Sequence, residues 1–190
     1  MGAGLLPICI YKNKIYFLFG KENYTNDTPG WSDFGGGKEN NETHIETASR
    51  EGAEELNGFF GDSEDIKKLI LGKNTYTIDT NGYKTYITKI NCDFNLPDYY
   101  KKNYKFLERK LPEVVKKNNG LLEKDEIKWF SFSDIKKNKN KFRSFYKHVA
   151  KNILKQKNMI IRKYIKKTKK IKKYNKHKKH RKTNKNNKKQ

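Results

Sequence analysis

The N-terminal part of the chain alternates between short apolar runs and polar breaks, the pattern of β-strands joined by tight turns. LLPICIY and IYFLF are rich in branched and aromatic residues and flank the polar break KNK, which predicts a β-hairpin. A second hairpin is predicted between residues 71–78 and 83–90, because Asn81-Gly82 between such runs is the strongest short signal for a tight turn. Shorter strands are predicted at 31–34 and 126–130.

Helical periodicity appears in the segments between these strands. From His44 onward, apolar and small residues recur every three to four positions, and Thr43 and Glu46 have the spacing of a capping box. Another amphipathic pattern follows residue 130 after a turn, and 96–120 indicates an inserted helical segment that either packs on the core or lines a groove. Strands around a central helix, closed by a further helix, predict a mixed α/β sandwich. About 150 residues are enough to bury one core of this kind.

The predicted central helix carries several carboxylates on one side. Glu51, Glu54 and Glu55 are three and four positions apart and therefore share one helical face, where like charges repel each other and weaken an isolated helix. A bound cation would reverse that effect, and carboxylate oxygens suit Mg²⁺ or Mn²⁺. The alternative is an ordinary solvated face on which Arg50 is an intrahelical partner.

The spacing of six residues favours the cation site over the solvated face. Their spacing resembles the box of the Nudix hydrolase family, which is Gly, five residues, Glu, seven residues, Arg-Glu, two residues and Glu-Glu. The matching residues are Gly36, Glu42, Arg50, Glu51, Glu54 and Glu55. Gly52 departs from the family, which has a bulky apolar residue there, so either the backbone packs closely or the helix is weakened. Asn57-Gly58 also replaces the closing Gly and apolar residue of the family.

This resemblance implies a Nudix-like α/β/α sandwich with a mixed sheet over 1–157, and hydrolysis of a pyrophosphate bond with Mg²⁺ or Mn²⁺. The implied metal ligands are Glu51, Glu54, Glu55 and the carbonyl oxygen of Gly35. The implied supporting residues are Gly36, Glu42 and Arg50. The general base is Glu51 by one family mechanism, or by another an acidic residue that precedes Trp129, for which Glu123 is chosen before Glu126. WSDFGG in a long basic chain also resembles Nudix proteins of large DNA viruses.

The C-terminal segment has a different composition from the rest of the chain. From Asn158 to Gln190 it contains no Asp or Glu, and the whole chain has 44 basic against 21 acidic residues, a net charge of +23. Such a like-charged, low-complexity tail is expected to be largely disordered in isolation and to contact a polyanion, with RNA or DNA ahead of an anionic membrane. The predicted nucleic-acid-binding residues are Lys166, Lys167, Lys169, Lys170, Lys172 and Lys173. Compositional drift in a lysine-rich chain is the alternative.

Box and tail together predict hydrolysis of the 5′ cap or another 5′ pyrophosphate of RNA. The alternatives are a small-nucleotide housekeeping pyrophosphohydrolase, and a catalytically idle Nudix fold that binds nucleic acid.

Cys9 and Cys92 are expected as reduced core residues, and the Cys and His spacing shows no zinc pattern. With no convincing secretory signal and no span of transmembrane length, the protein is expected inside the cell, in the cytoplasm; a nuclear address is a second interpretation of the basic run.

Overall fold

The computed structural model describes residues 1–22, 28–113 and 122–165. Contacts divide the chain into two units, Met1–Lys155 and Gln156–Gln190. The first unit holds the sheet and every residue of the predicted box, and in the second unit 157–165 form a helix. The domain boundary predicted after residue 157 stays a prediction. The tail residues Lys166, Lys167, Lys169, Lys170, Lys172 and Lys173 lie outside the described residues.

The first unit is built around one mixed sheet, which has seven strands in the described part of the chain. The strands are β1 Gly2–Tyr11, β2 Lys14–Glu22, β3 Trp31–Ser32, β4 Phe34–Gly37, β5 Thr75–Thr80, β6 Tyr83–Lys89 and β7 Lys124–Ser131. Neighbouring strands follow the order β3-β2-β1-β6-β5, while β4 pairs with β1 and β7 pairs with β2. All pairs are antiparallel except β1 with β6. The predicted mixed sheet is confirmed.

Helices cover both faces of this sheet, which confirms the predicted α/β/α sandwich. The helices are α1 His44–Glu55, α2 Ser63–Leu71, α3 Leu96–Lys110, α4 Phe132–Lys137 and α5 Tyr146–Lys155, with a 3₁₀ turn at Lys139–Lys141. On one face, Ala48 of α1, Ile66 of α2 and Tyr100 of α3 join Leu5 and Phe34 in one apolar cluster. This packing sets α1 directly over β1 and β4. No helix among the described residues is long and apolar enough to cross a membrane.

The opposite face of the sheet is packed with aromatic rings. Phe19 of β2 makes edge-to-face contacts with Phe130 of β7 and with Phe142, and Phe142 stacks on Tyr146 of α5. Such pairs add to the free energy of burial through their ring geometry. The predicted C-terminal amphipathic helix is thus α5, which closes this second face.

Both predicted hairpins form, and the backbone shows why. Lys12 and Asn13 have φ of 46° and 61° between β1 and β2, and Asn81 and Gly82 have φ of 55° and 84° between β5 and β6. Two consecutive positive φ values make the turn type whose twist matches that of paired strands. The strand predicted to start at Leu71 begins four residues later, because Leu71 ends α2, a helix that the pattern did not predict.

Cys9 and Cys92 form a disulfide, so the expectation of two reduced cysteines was wrong. Their Cα atoms lie 5.1 Å apart, although 83 positions separate them in the chain. The parallel pairing of β1 with β6 explains this proximity, because both strands run in the same direction and end at the same edge. That pairing is long-range and was not visible in the local pattern.

Candidate active site

Helix α1 begins at His44, where its sequence predicts, and ends at Glu55. The side chain of Thr43 accepts a hydrogen bond from the N–H of Glu46, and the carboxylate of Glu46 accepts one from the N–H of Thr43. This reciprocal capping box satisfies two amides that the helix would otherwise leave unpaired. At the other end, Asn57 and Gly58 have φ of 50° and 71°, the left-handed conformation that stops a helix. The acidic face of α1 is therefore fixed in register.

Two glycines let α1 lie close to its neighbours. A Cβ atom on Gly52 would come within 3.3 Å of Ile66 and 3.4 Å of Leu5, so close packing explains the glycine that departs from the family. A Cβ atom on Gly36 would lie 2.4 Å from Oε1 of Glu51. Gly36 therefore forms a cradle for the Glu51 carboxylate that any larger residue would fill.

Arg50 gathers three carboxylates around one guanidinium group. Its Nε donates to Glu42 at 2.8 Å, and its Nη1 donates to Glu51 at 3.0 Å and to Glu54 at 3.2 Å. Its Nη2 donates to the carbonyl oxygen of Gly37 at 3.2 Å. The hydrogen bond from Arg50 lowers the pKa of Glu42 to about 2. One side chain thus ties together the loop before α1, the acidic face and β4.

The acidic face of α1 is crowded with negative charge. Burial raises the pKa of Glu51 and that of Glu54, and Arg50 only partly opposes this. Glu123, just before β7, is near enough for its charge to raise the pKa of both as well, and its role as general base stays a prediction. Glu126 instead pairs with Lys21 at 3.8 Å.

The helical spacing predicted that Glu55 shares the open face with Glu51 and Glu54, but Glu55 is buried instead. Its side chain is 2 % exposed. Its Oε2 accepts the N–H of Gly35 at 2.8 Å, and its Oε1 lies 2.9 Å from Nζ of Lys124. Burial raises the pKa of Glu55 well above the usual range, and the ammonium of Lys124 opposes that shift.

Lys124 belongs to a buried ion network that the sequence did not predict. Its Nζ contacts Glu22, Ser32 at 3.0 Å and Glu55, and Glu22 also accepts from Arg143. Burial lowers the pKa of Lys124, but the carboxylates of Glu55 and Glu22 outweigh burial and raise it overall. Lys124 lies just outside the strand predicted at 126–130. Its partner Glu22 is directly opposite in the β2–β7 register, a pairing that no local signal reveals.

The donor set fits a hard divalent cation. Glu51, Glu54 and Glu55 supply carboxylate oxygens from adjacent turns of one helix, and Gly36 keeps the space that Glu51 occupies. In the described residues no group of three or more His, Cys, Asp or Glu side chains is placed to hold a metal ion. The assignment of Glu51, Glu54, Glu55 and the carbonyl oxygen of Gly35 as metal ligands stays a prediction.

Comparisons with known proteins found similar solved structures. No family model and no curated protein matches the chain. The chain is similar to a solved C. elegans Ap4A hydrolase complex, with 20% identity, a TM-score of 0.44, and coverage of 72% of this chain and 84% of that one. The chain is also similar to RenU, a Nudix hydrolase from M. smegmatis, with 11% identity, a TM-score of 0.47, and coverage of 84% of this chain and 86% of that one. A NUDIX hydrolase from Nitrosomonas europaea has 15% identity, a TM-score of 0.41, and coverage of 83% of this chain and 71% of that one.

Proposed function

We propose that this chain is a Nudix-type hydrolase that cleaves a pyrophosphate bond in a nucleotide-linked substrate with the help of Mg²⁺ or Mn²⁺. The observation that carries the proposal is the carboxylate cluster around Arg50, with Glu51 seated against Gly36. A solvated helix face would leave its glutamates in water, whereas the Glu51 side chain is 14 % exposed and lies 3.0 Å from Arg50. Burying carboxylates in this way is costly unless cations compensate them.

The residues of the cluster have separate roles. A bound divalent cation would neutralise the diphosphate and lower the pKa of a bound water; Glu51, Glu54 and Glu55 would hold it. Arg50 orients the first two through its hydrogen bonds. Because the guanidinium of Arg50 already donates a hydrogen bond to the Glu51 carboxylate, we assign the general base to Glu123, whose charge acts on the same face.

A groove lined by four lysines and two acidic residues supports an RNA substrate. It consists of two cavities of about 420 and 540 Å³ that share Lys21, Trp31 and Lys141. Lys128 lines one cavity and Lys147 the other. Lysines attract phosphates, and aromatic rings stack on bases of single strands.

We infer that the substrate is the 5′ cap or another 5′ pyrophosphate of RNA. The test is hydrolysis of capped RNA, free cap analogue and a nucleotide panel, each with Mg²⁺, with Mn²⁺ and with EDTA. Release of the capped guanosine diphosphate only from long RNA supports this substrate. Activity only on free nucleotides would indicate a small-nucleotide pyrophosphohydrolase instead, and RNA binding without hydrolysis an idle fold.

The variant that tests the site is Glu51→Gln, with Glu64→Gln on α2 as its matched control. Glu64 is exposed and makes only a 3.7 Å ion pair with Lys67, so its loss should leave hydrolysis unchanged. Glu51→Gln should abolish most of the metal-dependent activity. Equal activity in the two variants would overturn the proposed site.

A further inference from the structure

The position of the Lys124 ammonium next to Glu55 is built by several elements. Lys124 is fully buried on β7, and a Cβ atom on Gly20 of β2 would lie 2.9 Å from its Cγ and 3.0 Å from its Cδ. Gly20 therefore makes room for the lysine stem. The hydroxyl of Tyr100 donates to the carbonyl oxygens of both Glu55, at 2.7 Å, and Lys124, at 3.2 Å. The two residues are thus held together through their backbones as well as through their side chains.

The network around Lys124 is balanced in charge without any metal. It contains two cations, Lys124 and Arg143, and two carboxylates, Glu22 and Glu55. The cluster around Arg50 is different, because one guanidinium forms ion pairs with four carboxylates, those of Glu39, Glu42, Glu51 and Glu54. A divalent cation is therefore attracted by the uncompensated charge around Arg50, but at Glu55 it meets an ammonium that already occupies the carboxylate.

We propose that Lys124 is an internal competing cation that occupies Glu55 and weakens divalent-cation binding at the acidic face of α1. The role of Glu55 as a ligand rests on the proposed function. Lys124 acts through Glu55 and is a positioning residue: it fixes the direction of the carboxylate and sets how tightly the face holds a cation. Its removal should therefore separate metal affinity from catalysis, since affinity should rise while orientation is lost.

The test is Lys124→Met, whose apolar side chain has a similar length and fits the space beside Gly20. We expect Mn²⁺ to bind at least ten times more tightly, measured by the fall of free Mn²⁺ signal in electron paramagnetic resonance. Hydrolysis at saturating metal should fall at the same time. The matched control is Lys89→Met, an exposed lysine at the end of β6, for which both quantities should be unchanged.

A second variant guards against a folding defect. Lys124→Met leaves one excess buried negative charge, whereas Lys124→Met combined with Glu22→Gln removes one charge of each sign and keeps the network balanced. This double variant should show the same tighter binding and a larger rise of melting temperature on addition of Mn²⁺ than the wild type. If either variant is unfolded without metal, the proposal requires Mn²⁺ to refold it, and failure to refold counts against the proposal.

The outcomes separate this inference from the proposed function. Wild-type hydrolysis together with unchanged or weaker Mn²⁺ binding in the variants overturns the role of Lys124 alone. A wild type that neither binds Mn²⁺ nor hydrolyses any substrate, with variants that do bind Mn²⁺, overturns the proposed function and supports the role of Lys124. Absence of Mn²⁺ binding in all proteins overturns both.

Discussion

Three consecutive glycines of β4 have three different environments. A Cβ atom on Gly35 would meet backbone atoms of Gly4 and Ala3 at 2.3 and 2.4 Å, and one on Gly36 would meet the Glu51 carboxylate. A Cβ atom on Gly37 would meet nothing within 4 Å. The three glycines are identical in sequence, but a side chain at Gly35 would collide with the sheet backbone, whereas one at Gly36 would collide with the Glu51 carboxylate.

Gly36→Ala should therefore impair hydrolysis while leaving the fold intact. The added methyl group would displace Glu51, and misplacing a reacting group by about 1 Å can cost roughly 100-fold in rate. We expect a fall of that order in kcat with little change in melting temperature. Gly37→Ala is the control and should retain full activity; matching activities in the two variants would contradict the cradle.

Glu123→Gln should lower kcat with little effect on Mn²⁺ affinity, if Glu123 is the general base. Removing a general base typically costs about 10² to 10⁴ in rate. Glu126→Gln is the matched control, since Glu126 is three residues away but pairs with Lys21, and its kcat should change less than about twofold. Comparable losses in both variants would return the base assignment to Glu51.

Asp33 should make the protein less stable as the pH rises towards neutrality. It is buried between β3 and β4, where burial raises its pKa to about 7 against the hydrogen bonds from Tyr83 and Thr85. The folded state then holds a proton that the unfolded state releases above about pH 4, so stability falls between about pH 4 and pH 7 and levels off above.

The size of this effect is at most about 4 kcal/mol, from 1.36 kcal/mol for each pKa unit. Urea unfolding from pH 4 to pH 8 should show it as a falling free energy of unfolding. Asp33→Asn should flatten that fall, and the difference between the two curves isolates Asp33 from Glu51, Glu54 and Glu55, whose raised pKa values act in the same direction. Parallel curves would show that Asp33 does not titrate in this range.

At the scale of elements, local signals predicted the fold well and long-range contacts poorly. The start of α1 follows from a capping box within four residues, and both hairpins follow from their turn residues. Helix α2 was not predicted, because only Ile66 and Ile70 among its nine residues are buried, which gives a weak apolar periodicity. The burial of Glu55 was not predicted for another reason. It depends on Lys124 from β7, and helical spacing alone cannot show which residues pack against a helix face.

Gly52→Leu should destabilise the contact of α1 with β1 and α2. Leucine resembles the apolar residue usual in the family, but here its first side-chain atom would already lie 3.3 Å from Ile66. Overpacking of this kind costs about 1 to 3 kcal/mol, measurable as a lower urea midpoint. Gly52→Ala is the control: a helix-propensity gain of about 1 kcal/mol should roughly offset its tight contacts. A neutral Gly52→Leu variant would show that α1 can move away.

At the scale of the whole molecule, opposite charges are concentrated in different parts of the chain. Carboxylates cluster around Arg50 on α1, while lysines line the groove beside Trp31. The net charge of +23 arises largely from the segment after Asn158, which has no acidic residue. A long polyanion would therefore be drawn first by charge along its length, and only its 5′ end needs to reach the carboxylates.

Deleting residues 166–190 should weaken RNA binding without changing hydrolysis of a free nucleotide. This cut keeps Ile160 and Tyr164, which are buried in the described helix 157–165. If the tail neutralises about six phosphates, the slope of log K against log salt should flatten by about 4, at 0.7 for each contact with a single strand. Lys128→Gln with Lys141→Gln in the intact chain tests the groove separately. An unchanged slope after the deletion, with a reduced slope in the groove variant, would place RNA binding on the folded unit and exclude the tail.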